Sequence, residues 1–380
     1  MNPATLAAVV RRFPLLGRPR PACPALPERV QEVADIADAA TRDGVDRLAE
    51  GAHALNKAAL IASDCGLPDL ARDLCWQHIN LYRAANQPLT VHQARYMLEP
   101  VLNLARLQLR AHEGDQALRL LTAMFQAVTS NTDLVIDGHT LPLGNLAGTR
   151  AEHHKLREWV WLHLIGDGIR ALALAGRWDD AVAHARAHRG IGLHLMEGRQ
   201  ATIVAHCMNG NPTAAREALA ESTPEQPWER QVAACLKVMC TDTDSTSAHR
   251  NISAMIARFV EYQPMPGYAV FRAQLGLTIT ILGGAIDADA ASRVLAQVTD
   301  EVIASGDGYA AREVLRYRGA QIAITSEHRA RLTGLVNAAC LGAATLPDPL
   351  SQSLLNSTQT AAMAVSTGLA QRLRGPGSRP

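Results

Sequence analysis

Helical periodicity is the feature that most constrains the fold of this chain. From about residue 28 onward, almost every segment carries apolar residues at positions i, i+3, i+4 and i+7, and alternating runs of β-branched residues are nearly absent. Good helix formers dominate these segments, and Gly, Asn or Pro interrupts them at helix-length intervals. The sequence therefore predicts an all-α protein built from short antiparallel helix pairs.

Three of the interruptions share one pattern. Gly66, Gly176 and Gly210 are each followed five residues later by an alanine, in the segments CGLPDLA, AGRWDDA and NGNPTAA. A glycine allows the first helix to end in a left-handed cap, and the small alanine one turn into the next helix allows the two helices to pack closely. Gly176 and Gly210 are 34 residues apart. These turns predict helical hairpins.

The 34-residue period and the turn Gly176-Arg-Trp-Asp-Asp-Ala181 resemble those of tetratricopeptide-repeat (TPR) proteins of actinobacterial type. The resemblance implies a TPR-like α-solenoid, a superhelix of helical hairpins, with one long inserted loop. The expected helix pairs are 44–86, 92–129, 152–190, 193–222, 227–262, 267–304 and 307–343. The chain departs from the family because the aromatic residue early in the first helix is mostly missing and several intervals exceed 34 residues.

The same patterns divide the chain into segments. Residues 1–27 are expected to be a Pro- and Arg-rich lead-in, 28–346 the helical repeats, 347–372 a C-terminal capping helix and 373–380 a disordered tail.

Residues 129–151 interrupt the repeats with a loop of more than twenty residues. Such a loop is uncommon in a compact array and is often functional or mobile, which makes it a candidate lid. Its Leu134-Val-Ile136 followed by Asp137-Gly138 indicates a small hairpin. The alternative is that the loop simply spans an irregular repeat junction.

Composition and charge exclude several classes of protein. The 37 Lys and Arg balance 36 Asp and Glu, which argues against nucleic acid as a partner, and no basic recognition helix precedes the repeats, which disfavours a transcription regulator. No long apolar run predicts a membrane span. Arg11-Arg12-Phe13 is followed by Pro and Arg instead of an export signal, which predicts a cytoplasmic protein. The seven cysteines lack CxxC spacing and are expected to be reduced.

Histidines are concentrated in one part of the chain, where eight of the 14 lie between residues 139 and 206. Imidazoles from the loop and the helix behind it would serve as general base and acid near neutral pH, with Asp137 or Glu152 orienting one of them. The candidate catalytic residues are therefore Asp137, His139, His153 and His154. The alternative is that these histidines are solvated.

His184 and His188, which stand at i and i+4, are candidate ligands of a metal ion. His194, His206 or Cys207 would supply a third ligand. No HExxH motif, cysteine pair or acidic cluster accompanies them, so no metal is expected. Walker A, GxSxG and dinucleotide-binding motifs are also missing from the sequence, so no cofactor is expected.

Polar side chains at near-helical spacing on the first helices of successive pairs suggest a binding groove. Stacked helix pairs expose these helices on a concave face that suits an extended peptide. Asparagine hydrogen-bonds a peptide backbone, and arginine binds a carboxylate through two nitrogens. The candidate peptide-binding residues are Asn56, Lys57, Asn103, Arg106, Arg110, Arg157, His163 and Arg170. The alternative is that they are solvated positions that balance acidic neighbours.

Two functions follow from these patterns. The first is a binding module that holds a peptide or protein segment in its groove. The segment from Leu55 to Trp76 also resembles stand-alone repeat proteins encoded near peptide natural-product pathways. That resemblance implies the alternative, a maturation enzyme acting on a ribosomal precursor peptide. A thioether cyclase that uses histidine and arginine acid–base chemistry is one such enzyme.

Overall fold

The computed structural model of the protein describes residues 2–42, 45–85, 87–241, 246–284, 286–319 and 322–371. Among these residues the regular secondary structure consists of α-helices and one β-hairpin. In chain order the elements are α1 Pro3–Val10, α2 Leu26–Ala39, α3 Arg47–Asp64, α4 Pro68–Arg83, α5 Val91–Arg110, α6 Gly114–Ser130, β1 Leu134–Ile136, β2 His139–Leu141, α7 Arg150–Leu174, α8 Trp178–Ala187, α9 Glu197–Met208, α10 Pro212–Ala220, α11 Pro227–Met239, α12 Thr246–Glu261, α13 Ala269–Gly283, α14 Ala288–Ser305, α15 Gly308–Leu315, α16 Ser326–Ala338 and α17 Asp348–Gln371. The all-α prediction is confirmed.

Each predicted helix pair contains two helices in the structure. The pairs run from α3 and α4 to α15 and α16, with ends within a few residues of the expected ones. The packing of these helices is consistent with a helical-repeat arrangement. The expected disordered tail, 373–380, lies outside the described residues. Of the helices described, none combines the length and apolar character needed to cross a lipid bilayer.

The repeat turns have the conformation that the sequence predicts. Gly66, Gly176 and Gly210 have φ values of +82°, +73° and +68°, and the next helix begins two residues later in each case. The alanines five residues after the glycines are fully packed inside the protein, as Ala71, Ala181 and Ala215. A left-handed residue followed by a buried small side chain therefore closes each hairpin.

The helices form two compact units. Unit 1 contains Met1–Pro24 and Gly168–Ala339, and unit 2 contains Ala25–Asp167 and Cys340–Pro380, so the division falls within α7. In unit 1 the Pro-rich N-terminal segment is packed into the fold, because Val9 and Leu15 are fully buried. The backbone N–H of Leu15 donates to Gln200 at 2.8 Å, and the Gln200 amide donates back to the Leu15 carbonyl at 2.7 Å.

In unit 2 the C-terminal helix α17 packs against α2, α3 and α4. The approach of α17 to α3 needs Gly51, since a Cβ there would lie 2.7 Å from a methyl group of Val365. Around this contact, apolar side chains of α2 to α6 form one continuous core. The helix that follows the repeats in sequence is thus part of the hydrophobic core of unit 2.

The core of unit 2 contains a buried histidine. His78 of α4 has no exposed surface, and neither of its ring nitrogens has a hydrogen-bond partner among the described residues. Its ring packs beside Tyr82, with a centroid separation of 5.7 Å. Burial lowers the pKa of His78 to about 3 because the charged imidazolium would lose its hydration.

We predict that Gly176→Ala lowers the free energy of unfolding by about 1 kcal/mol, because an L side chain disfavours a left-handed φ. Gly334→Ala in α16 is the matched control, since a Cβ meets no atom within 4 Å at either position. Without the left-handed φ, the control should raise stability by about 0.5 kcal/mol. Urea unfolding followed by circular dichroism measures both changes, and equal effects would contradict the assigned turn conformation.

We also predict an acid sensitivity that arises from His78. Unfolded histidine binds a proton near pH 6.5, whereas folded His78 does so only near pH 3, so stability falls as pH drops between these values. The loss from this residue approaches about 1.4 kcal/mol per pH unit. Urea unfolding at pH 7.5 and 5.5 should show a smaller loss for His78→Leu than for the wild type. The exposed control His53→Gln should retain the wild-type loss, and an unchanged loss in His78→Leu would refute the assignment.

Candidate functional site

The long loop contains the predicted hairpin. Strands β1 and β2 pair antiparallel, with Leu134 opposite Leu141 and Ile136 opposite His139. Asp137 and Gly138 form the turn with φ values of +48° and +77°, and two left-handed central residues match the twist of a two-residue hairpin. The aliphatic side chains on the inner side of the loop join the core of unit 2, namely Leu134, Ile136, Leu141 and Leu143.

Polar contacts also anchor this loop. The Asp133 carboxylate accepts hydrogen bonds from the backbone N–H groups of Leu143 and Gly144, at 3.0 and 2.8 Å. At the end of the loop, the Ala147 N–H donates to the Leu89 carbonyl, and the Ala147 carbonyl accepts from the N–H of Val91, the first residue of α5, in a short parallel bridge to Thr90. Together with the buried side chains, these bonds hold both ends of the loop against unit 2.

A capping box fixes the start of α7. The Glu152 carboxylate accepts from the backbone N–H of Thr149 at 2.6 Å and from its hydroxyl at 2.8 Å, while the Glu152 N–H donates to that hydroxyl at 3.3 Å. The backbone hydrogen bond from Thr149 lowers the pKa of Glu152. Glu152 was a candidate to orient a catalytic histidine, but its carboxylate is bonded to the cap instead.

Between the loop and the first turns of α7 lies a cavity of about 370 Å³, called here the α7 cavity. Its lining consists of Asn131, Gly144, Asn145, Leu146, Arg150, His153 and Arg157. Arg150, His153 and Arg157 stand at i, i+3 and i+7, so they share one face of the helix. These three side chains make no hydrogen bond or ion pair within the described part of the chain, and the lining contains no carboxylate.

The structure does not bring the four candidate catalytic residues together. His139 packs edge-on against Trp76, with ring centroids 4.9 Å apart, and Asp137 is exposed in the hairpin turn. His154 is also exposed, and only His153 lines the α7 cavity. Within the described residues no hydrogen bond links any two of these four side chains.

The candidate groove residues of α3, α5 and α7 contact one another or nearby acids. The Asn103 amide of α5 donates to the Asn56 side-chain oxygen of α3 at 2.6 Å. Arg106 donates to Asp167 at 3.0 Å and lies 3.4 Å from His163. Burial alone would raise the pKa of Asp167, but hydrogen bonds with His163 and Arg106 and the arginine charge lower it to about 2. The Arg106 charge is therefore compensated inside the protein.

The other candidate groove cations on α3 and α5, Lys57 and Arg110, also form ion pairs with carboxylates. Asp64, whose side chain is 1% exposed, binds Arg29 at 2.6 Å and Arg110 at 3.1 Å. Arg110 also donates to the Ser63 hydroxyl. Lys57 pairs with Glu32 at 2.5 Å. Three of the predicted peptide-binding cations therefore already have carboxylate partners.

Arg157 differs from these cations because it lines the α7 cavity and has no carboxylate partner among the described residues. Arg170 is exposed on the part of α7 that belongs to unit 1. Sequence reasoning missed Arg150, Asn131 and Asn145. The signal for Arg150 was its helical spacing from His153 and Arg157, whereas the two asparagines approach α7 only through the folded loop.

The residues weighed as metal ligands have other neighbours. The rings of His184 and His188 contact each other at an interplanar angle of 58°, with centroids 4.8 Å apart, His194 lies 3.5 Å from Glu229, and Cys207 lies beside Cys240. Across the residues that the structure describes, no group of three or more His, Cys, Asp or Glu side chains is placed to hold a metal ion.

No protein-family model matches this chain, and neither the curated proteins nor the solved structures include a significant match.

We predict that Asp64→Asn lowers the free energy of unfolding by about 3 kcal/mol, because it leaves the buried Arg29 without its counter-ion. Arg110→Ala removes the other partner, whose side chain is 46% exposed, and should cost less than about 1 kcal/mol. Chemical denaturation of both variants measures the difference. Equal losses would mean that Asp64 does not act mainly as the counter-ion of Arg29.

Proposed function

We propose that this protein binds a peptide or protein segment and places an acidic group of that segment in the α7 cavity. The observation that carries the proposal is the placement of Arg150 and Arg157 beside His153 in a concave site whose lining contains no carboxylate, with no ion pair to either arginine among the described residues. Arg150 is exposed and Arg157 is half-buried. A half-buried cation is normally paired, as Arg106 is in the same unit. A carboxylate from outside the chain would supply the missing partner.

The chemistry of the lining favours a carboxylate on a peptide. Each guanidinium presents two parallel N–H groups that fit the two oxygens of a carboxylate. Asn131 and Asn145 add amide groups that hydrogen-bond a peptide backbone, and Leu146 adds an apolar contact. This mixture of a few polar groups around a small concavity is typical of binding sites that recognise one side chain or one chain terminus.

Asn56 is a second candidate contact for the segment. Its side-chain oxygen accepts from the amide of Asn103, which is buried. This leaves the amide group of the half-buried Asn56 to donate to a peptide carbonyl.

We propose further that the helix pairs belong to a TPR-like superhelix. The left-handed glycine turns and the buried alanines that follow them support this assignment. In this interpretation the long loop is an insertion that forms one wall of the binding site, and its contacts with unit 2 suit a fixed wall. Its role as a lid stays a prediction.

An alternative proposal is that the segment is a precursor peptide and the protein is a thioether cyclase. The supporting observation is that His153 lies between two arginines in one cavity. The imidazole would take the proton from a cysteine thiol, and a guanidinium would stabilise the enolate that forms when the thiolate adds to a dehydroamino acid. The enolate then takes up a proton, so the peptide mass does not change.

We predict that peptides encoded beside the gene, in native and dehydrated form, bind with an affinity that depends on the α7 cavity. Arg150→Gln and Arg157→Gln should each weaken binding about tenfold or more, because each removes a charge-assisted hydrogen bond. The control Arg119→Gln removes an exposed charge from α6 of the same unit and should leave affinity unchanged. Calorimetry measures all three, and equal affinities for wild type and both cavity variants would refute the site.

The same peptides distinguish the two proposals. Mass spectrometry with thiol labelling should show loss of free thiol at unchanged mass if the protein is a cyclase. His153→Gln would then abolish turnover and retain binding, because the arginines remain. Binding with all thiols retained identifies a binding module. If no peptide binds, the ligand would be a protein segment from elsewhere, to be sought with the cavity variants as negative controls.

A further inference from the structure

Two cysteines of unit 1 face each other. Cys207 lies in the last turn of α9, and Cys240 follows the end of α11, where its backbone caps that helix. Their sulfur atoms are 3.7 Å apart, although the residues are 33 positions apart in the sequence. Arg216 of α10 donates to the Cys240 carbonyl at 3.0 Å and holds this helix end in place. The two thiols are therefore neighbours because of the tertiary fold.

The two thiols differ in their surroundings. Cys207 is half-buried and reachable from solvent, whereas Cys240 is 2% exposed. The hydrogen bond from the Cys240 thiol lowers the pKa of Cys207, because it stabilises the thiolate. By contrast, burial raises the pKa of Cys75 to about 12 and also raises that of Cys235. Cys207 has the surroundings of a reactive cysteine, and Cys240 lies where a resolving cysteine would be needed.

We propose that Cys207 and Cys240 form a redox modification site, at which a low-molecular-weight disulfide such as glutathione disulfide converts the two thiols into an intramolecular disulfide. This site lies in unit 1 and is independent of the peptide-binding proposal, which rests on unit 2. The sulfur atoms must approach from 3.7 Å to about 2.05 Å, so bond formation requires side-chain rotation and a small shift of the helix ends.

The reaction proceeds by two thiol–disulfide exchanges. The Cys207 thiolate attacks one sulfur of the small disulfide, whose S–S bond breaks, and the released thiolate takes up a proton. The Cys240 sulfur then attacks the sulfur of Cys207 and expels the second small thiolate, which takes up the proton that the Cys240 thiol loses. Two protein thiols are oxidised to one disulfide, and one small disulfide is reduced to two thiols.

The disulfide would change the stability of unit 1. It would close a loop that contains all of α10 and would join the end of α9 to the end of α11. A cross-link of this kind restricts the unfolded chain and stabilises the folded one, so the oxidised form should melt at a higher temperature. The pair would thus couple the redox state to the rigidity of three consecutive helices.

The test treats the reduced full-length chain with glutathione disulfide without oxygen, then quenches it with acid and alkylates it under denaturing conditions. Intact mass should show that two of the seven cysteines escape alkylation, and peptide mapping should join Cys207 to Cys240. The oxidised protein should stay monodisperse with an unchanged elution volume. A wild-type protein that keeps all its thiols, or a cross-link at other cysteines, would overturn the proposal.

Three variants separate the roles of the two cysteines. Cys240→Ser should accumulate one glutathionyl group on residue 207, and Cys207→Ser should keep Cys240 as a free thiol. Cys340→Ser is the matched control, because Cys340 is also half-buried but belongs to unit 2, and it should oxidise as the wild type does. Circular dichroism checks that the variants fold. Glutathionylation of Cys240 in Cys207→Ser, or no adduct in a folded Cys240→Ser, would contradict the assigned order of attack.

Discussion

A chain that ends one helix and starts an antiparallel one two residues later needs a backbone conformation that only glycine adopts without strain. Gly66, Gly176 and Gly210 supply it, with φ near +70° to +80°. The next helix then begins close beside the first, and the space between them admits only a small side chain. Helix pairs of this kind have one apolar side that must be buried and one polar side that can stay in contact with solvent or a ligand. In the proposed function, the polar side carries the binding surface.

Compensation of charge then decides which polar positions remain open to a ligand. On α5, Arg110 forms an ion pair with Asp64 and Arg106 forms one with Asp167. Both carboxylates belong to neighbouring helices of the same unit, and these contacts fix the helices relative to one another. Such pairs make the packing more specific. Because their opposite charges largely cancel, they attract an external anion only weakly. Within the described residues Arg150 and Arg157 form no ion pair, and the wall that faces them is the loop, whose Asp133 carboxylate is bonded to backbone N–H groups.

The local parts of this structure were predictable from the sequence, and the long-range pairings were not. Left-handed turns, helix pairs and the Asp137-Gly138 hairpin depend on neighbouring residues, so their chemistry is visible in short segments. The ion pair of Arg106 joins residues 61 positions apart, and that of Arg110 joins residues 46 positions apart. No spacing rule indicates such partners. His153 and Arg157 were identified separately, as a base and as a peptide contact, and only the fold places them in one cavity.

The anchoring of the loop bears on how such a cavity would bind. A mobile loop must be ordered when a ligand arrives, and the lost conformational freedom reduces the affinity. Here the buried leucines, the Asp133 bonds and the Thr149–Glu152 cap order the site before binding. In the proposed function, a site that is ordered before the ligand arrives would favour recognition of an acidic group over a neutral one, because Arg150 and Arg157 supply two positive charges.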